Sequence, residues 1–504
     1  MKALLFLAAA AACAVSTPDG TAITNVEIVD GTGAARFRGT VRIVADTIAA
    51  VGANVTAQRG DVVVDGSGLV LAPGFIDTHS HHLGGLFEQG DALPVVSQGV
   101  TTVVGGQDGG HVMPLAATMD SLVRLRMAPN VAFYAGHGTI RRAVLGDDYR
   151  RVATAAEVDS MRVLLNREML GGALGLSTGL EYDPGIYSSR AEVLALAKEA
   201  AAHKGRYISH IRSEDRWFWD AVDEVITIGK EAGLPVQISH AKLAMVSLWG
   251  QSGRFLATLD SARAQGIDIT ADIYPYPYWQ SSLTVLFPKR DFANRREAEL
   301  VLRDIARPEG LLIGDFDPDT SYEGKTVAQI AVMRGEAPAT TLMALIRDAL
   351  AYEKLHPDES AESVVATSMD EPDIAAIMNW EHTNICSDGS MNGAHPRGYG
   401  AFPRVLARYV GAGKPLSLEG AVRKMTSLSA QHMGIARRGT IAAGRYADLV
   451  LFDAKTISDR ATPKDPHLVS VGIIRVWVNG RQVWSESKTT GERPGRVLKR
   501  GAAS

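Results

Sequence analysis

The segment Gly74-Phe-Ile-Asp-Thr-His79-Ser-His81-His82 places two imidazoles at alternate positions where an apolar run ends. In an extended strand residues i and i+2 share a face, so His79 and His81 can aim at one point while Ser80 turns away. Paired imidazoles of this kind suit a borderline-soft divalent cation. Alone, the pair reads equally well as two polar residues at the junction of a strand and a loop. Comparable β-type runs recur, however, at residues 100–104, 131–137, 173–181, 206–212, 235–240, 267–274 and 383–388, bringing His137, Glu181, His210, His240 and Asp388 to run ends.

With residues 74–81 these runs make eight candidate strands, and helical patterns such as 191–203 and 217–232 separate most of them. That alternation predicts parallel strands joined by crossover helices, hence an α/β chain built as a (β/α)8 TIM barrel. Such a barrel does its chemistry at the C-terminal strand ends, where the histidines and carboxylates fall. Around the barrel, predicted over 73–434, lie two β-rich flanks at 21–72 and 435–504, the second with Asn479-Gly480 as a hairpin signal. Residues 287–350 leave the β/α rhythm for charged helix-like stretches, which predicts an insertion between strands seven and eight.

The chain has 504 residues, 46% of them hydrophobic, enough for a large core beyond the roughly 250 residues of a usual barrel. A formal net charge of -4 offers no electrostatic case for nucleic acid. Residues 1–20 read as an export leader: a lysine at position 2, an apolar run at 3–12, and then Cys13. Cys13 after a run of alanines resembles a degenerate bacterial lipobox, which predicts a periplasmic or lipid-anchored protein; cleavage nearby without lipidation is the rival. Without Cys13, Cys386 is alone and no intramolecular disulfide is expected.

The motifs Gly74-Phe-Ile-Asp-Thr-His-Ser-His, Gly99-Val-Thr-Thr-Val-Val, Gly136-His-Gly-Thr-Ile-Arg, Gly175-Leu-Ser-Thr-Gly-Leu-Glu-Tyr-Asp-Pro-Gly, Ser209-His-Ile-Arg-Ser-Glu and Ile238-Ser-His-Ala-Lys occur in this order. They continue through Asp272-Ile-Tyr-Pro-Tyr, Ser387-Asp-Gly, His395-Pro-Arg-Gly, Gly444-Arg-Tyr-Ala-Asp-Leu-Val and Arg493-Pro-Gly-Arg-Val-Leu. In these the chain resembles the amidohydrolase superfamily and, within it, the N-acyl-D-amino-acid deacylase (D-aminoacylase) group. The resemblance implies that both chain ends join in one small β-sandwich, and that the insertion is a lid or rim. It also implies hydrolysis of a C–N amide bond in N-acyl-D-amino acids or small D-residue peptides, a small-molecule partner, and one or two Zn2+ ions.

His79, His81, His210 and His240 are the expected metal ligands. Many relatives bridge two ions with a carboxylated lysine at the fourth strand; no lysine stands there, so Glu181 is its expected substitute and Asp183 the reserve. Where the group carries a cysteine after the second strand this chain has Gly106-Gln107-Asp108-Gly109; Asp108 in that place would be a hard oxygen ligand, admitting Mn2+ or Co2+ more readily. A turn residue is its other reading. Asp388 is the expected general base and acid, against a helix-capping alternative. His137 is a second catalytic candidate, for polarising the scissile carbonyl or positioning water. Lys242, Arg212 and Arg397 are candidates to grip an α-carboxylate, with Tyr187 as a hydroxyl donor; structural ion pairs are the competing use of all four. A dipeptidase or cyclic-amide hydrolase on the same scaffold is the alternative activity, although the missing lysine speaks against the usual dihydroorotase or hydantoinase site. A catalytically dead binding protein would be expected to have lost its ligands.

Overall fold

The computed structural model describes residues 20–357 and 360–501, so residues 1–19 of the expected leader, Cys13 among them, lie outside the described residues. The fold is mixed α/β. Both flanks contribute to one nine-stranded sheet, joined where Val70–Pro73 pairs antiparallel with Leu449–Phe452. Alternating apolar residues drive that union: Ile23, Val26 and Ile28 from the first flank bury against Leu449, Leu451 and Trp477 from the second. The hairpin between Ile473–Val478 and Arg481–Ser485 turns at Asn479 and Gly480, both with positive φ (46° and 76°), as a two-residue turn of matching twist requires.

Between the flanks the chain alternates strand and helix. Phe75–Asp77, Val100–Gly105 and Asn130–Phe133 pair in parallel. A second parallel set runs Ala135–Gly136, Gly175–Gly179, Arg206–His210, Val236–Ile238, Ile269–Ile273, Thr383–Ile385. Strands such as Val100–Gly105 and Gly175–Gly179 are buried along their whole length, as expected of parallel strands covered on both faces. The helices between them have local reasons to start and stop. Ala155–Gly171 opens with a reciprocal Thr154/Glu157 capping box, and Phe218–Ala232 ends at Gly233 in the left-handed region.

Backbone hydrogen bonds link the last strand's end to the first: Asp388 N–H donates to the His79 carbonyl at 2.9 Å, and His81 N–H to the Gly389 carbonyl at 2.8 Å. These two bonds bring the histidine pair beside Asp388.

Between Ile269–Ile273 and Thr383–Ile385 the chain builds helices and an antiparallel sheet of Tyr278–Ser281, Glu362–Thr367 and Leu311–Phe316. This unit is wider than the 287–350 stretch suggested by charge, because its sheet pairs segments on either side of the helical part. It faces the strand ends through Trp279, Val285, Leu286 and Ile305.

Candidate metal centre

His79 and His81 converge as their alternation predicts. Their Nε2 atoms lie 3.4 and 3.3 Å from Asp108 Oδ2, and 3.4 and 3.2 Å from Asp388 Oδ1. On the other side of Asp108 stand His210 and His240, from adjacent parallel strands. His240 Nε2 is 3.5 Å from Asp108 Oδ1 and 3.1 Å from His210 Nδ1. Asp108 is thus the carboxylate within reach of both histidine pairs. Glu181, expected as the bridge, lies on the far side of His210, 2.9 Å from its Nε2. The reserve Asp183 is turned away, held by Arg290 at 2.9 Å and Tyr149 at 3.2 Å.

The backbone at these positions is unusual. Asp108, His240 and Asp388 all adopt left-handed φ, at 53°, 35° and 50°. Aspartate and histidine are both enriched among the non-glycine residues that adopt this region, and the His240 backbone has a partner that holds it there. The holding group is Asp272, whose Oδ1 accepts the His240 N–H at 2.5 Å. Beneath the other side, Asp77 accepts both the Ser387 N–H, at 2.8 Å, and the Ser387 hydroxyl, at 2.5 Å. Gly389 allows the Asp388 loop to pack on the following helix; a Cβ there would sit 2.5 Å from the Gly398 Cα. That contact seats Arg397 so that its Nη1 lies 2.6 Å from Asp388 Oδ2.

Burial by itself pushes Asp388 upward, but Arg397, His240 and His79 override it and hold the carboxyl well below the usual range. Asp108 likewise is raised by burial and lowered further by His79, His240 and His81, ending well below its ordinary value. Both are carboxylates at neutral pH, aimed at imidazoles. His79 Nδ1 and Nε2 and Asp108 Oδ1 are buried without hydrogen-bond partners. Orphaned donors and acceptors of this kind normally find a partner, and a divalent cation satisfies imidazole and carboxylate lone pairs together. The donor set therefore fits a metal. His81, with a side chain 39% exposed, marks the open side.

The remaining candidates separate. Lys242 is buried, with Nζ 2.7 Å from Glu214 Oε1 and 2.6 Å from His240 Nδ1. With Arg397 it lines a cleft that Trp279, Gln280, Val285 and Leu286 also line. Arg212 does not reach the cleft: its guanidinium pairs with both Glu224 oxygens, at 2.7 and 2.8 Å. His137 opens the helix His137–Leu145 and its Nε2 meets Glu192 at 2.8 Å, in a buried cluster with Arg141. Tyr187 lines a neighbouring chamber, its ring 5.9 Å from that of Tyr149.

Three residues of the site escaped sequence reasoning. Tyr182 places its hydroxyl 3.1 Å from His210 Nδ1, Glu214 anchors Lys242, and Asp272 anchors His240. Each stands inside one of the motifs named above, and Glu214 lies four residues after His210.

Residues 62–294 and 310–484 match the Amidohydrolase family. An N-acyl-D-glutamate deacylase of Alcaligenes xylosoxydans xylosoxydans is 37% identical over 500 residues, covering 94% of this chain and 96% of the relative. A D-aminoacylase of the same organism is 34% identical over 513 residues, covering 97% and 99%. The crystal structure of N-acyl-D-glutamate deacylase from Bordetella bronchiseptica, complexed with zinc and a phosphonate mimic of the tetrahedral intermediate, matches with a TM-score of 0.85. It is 34% identical, with 96% of this chain and 100% of that chain covered. Because these matches run through every strand and loop that carries the clustered histidines and carboxylates, the chain belongs to the amidohydrolase family.

Proposed function

We propose that this protein is a divalent-metal-dependent deacylase of N-acyl-D-amino acids or small D-residue peptides. The observation that carries the reading is Asp108 set between two histidine pairs, with Asp388 facing one pair and locked to Arg397. His79, His81, His210, His240 and Asp108 are the residues that would hold one or two ions, zinc first and Mn2+ or Co2+ as substitutes. An ion held there supplies Lewis-acid polarisation and acidifies water. Asp388 Oδ1 takes the proton released as water attacks the amide carbon, and returns it to the departing nitrogen. Arg397 keeps that carboxylate ionised and oriented. Lys242 and Arg397 together present positive charge to the substrate α-carboxylate, one as a point contact and one as a planar fork.

The parallel pairings, with the bonds from His79 and His81 to the last strand, support a closed (β/α)8 barrel, and the two-ended sheet supports a β-sandwich companion. The apolar run at residues 3–12 supports export. The deciding experiment measures metal content of purified protein, then hydrolysis of a panel of N-acetyl D- and L-amino acids, matching dipeptides and a hydantoin. Metal-dependent release of free D-amino acids is the expected result. Preferential hydrolysis of L-dipeptides or of the hydantoin would move the protein to the alternative activities, and no turnover with metal bound would point to a binding protein.

A further inference from the structure

The two nitrogens of His210 face in different directions. Nδ1 lies 3.1 Å from His240 Nε2, within the grouping of His210 and His240 with Asp108. Nε2 lies 2.9 Å from Glu181 Oε2. A neutral imidazole that offers a lone pair from one nitrogen carries its proton on the other. With Nδ1 turned to His240 Nε2 and to the Tyr182 hydroxyl, which can donate to it, the proton belongs on Nε2 and is donated to Glu181.

Glu181 is built for that task. Its Oε1 accepts the Glu214 backbone N–H at 2.9 Å, so each carboxylate oxygen has an assigned partner and the plane of the group is fixed. Its own carbonyl accepts from Arg290 Nη2 at 2.8 Å, tying this position to the segment that follows the cleft wall. Leu180 N–H donates to the His210 carbonyl at 3.1 Å, so the backbones of the two partners are registered as well. A bridging role would require both carboxylate oxygens to leave these partners. Glu214, which groups with Glu181 and His210, has its Oε1 held by Lys242 at 2.7 Å.

We infer that Glu181 is a positioning residue, fixing the tautomer and ring orientation of His210 so that Nδ1 presents its lone pair beside His240 Nε2. The inference rests on the reading of His210 and His240 as metal ligands. Carboxylates in this outer position typically change metal affinity by about 10–100-fold when removed.

The test uses full-length protein, zinc affinity by chelator competition, and the visible spectrum of the Co2+-substituted protein. Glu181→Ala should weaken zinc binding by about 10–100-fold, yet bind the same number of ions at saturation with the same Co2+ band intensity. Glu181→Gln, whose amide oxygen still accepts from Nε2–H, should recover most of the affinity. In a His210→Ala background Glu181→Ala should have no further effect on affinity. Loss of one ion at saturation, or an altered Co2+ spectrum in Glu181→Gln, would make Glu181 a ligand and overturn the inference. Unchanged affinity in Glu181→Ala, with circular dichroism showing a folded protein, would overturn it equally. Wild-type protein that binds no zinc would overturn the metal reading itself, an outcome distinct from either.

Discussion

The two histidine pairs are built differently. His79 and His81 come from one strand end and face two carboxylates directly; His79 has no hydrogen bond to its ring, and His81 is part exposed. His210 and His240 come from two adjacent strands and are buried. Their rings have carboxylates behind them: Glu181 at His210 Nε2, and Glu214 at His240 Nδ1. The first pair owes its convergence to local alternation, the second to tertiary support. A ligand already oriented loses less freedom when an ion binds, so the buried pair should hold its ion more tightly, by about tenfold or more.

The largest effect that can break this comparison is loss of a buried ligand. His240→Ala should remove the tighter ion and all turnover above background, whereas His81→Ala should retain about one equivalent of metal by elemental analysis. Equal metal loss in both variants would mean that the pairs do not differ as their surroundings imply.

Asp388→Asn comes next. Asparagine keeps the size but cannot take a proton, so kcat should fall by roughly 10²–10⁴-fold with metal content unchanged. A deficit under tenfold would assign Asp388 a structural role instead.

Arg397→Met should act more gently, through Asp388. Burial raises this carboxyl and Arg397 is the leading group that lowers it, so losing the guanidinium should shift the acid limb of the kcat/KM profile to higher pH. KM should rise as well, through loss of one carboxylate contact. An unmoved acid limb would show that the pair Arg397–Asp388 does not govern proton transfer.

The smallest effect lies away from both pairs. Glu362 is buried in the inserted sheet, and burial raises its carboxyl to about 8, with Leu283 N–H opposing. The unfolded chain releases this proton near 4.5, so stability contributed below that pH is lost as pH rises through about 8. The loss should be at most about 1.4 kcal/mol per pH unit. Glu362→Gln should flatten this slope in urea unfolding between pH 5 and 8 without changing metal affinity. A slope equal to that of the wild type would place the titration elsewhere.

Much of the architecture was legible because it rests on local periodicity. The helices expected at 191–203 and 217–232 appear as Arg190–Ala202 and Phe218–Ala232. The inserted unit was legible only in part. Helices reveal themselves by composition, whereas pairing Tyr278–Ser281 with Glu362–Thr367 joins residues some eighty positions apart, for which no local signal exists.

The same distinction runs through the site. The convergence of His79 and His81 follows from alternation alone, and a short motif sufficed to single out Asp388. Which carboxylate meets which base was not a property of any motif. Arg212 is drawn off by Glu224, His137 by Glu192, and Glu181 turns to the outer face of His210, leaving Asp108 between the pairs. A strand's period determines the face of a side chain before the fold exists. The partner of a buried charge is decided only when separate loops close over it, because the cost of burying that charge makes the nearest opposite or hydrogen-bonding group its partner.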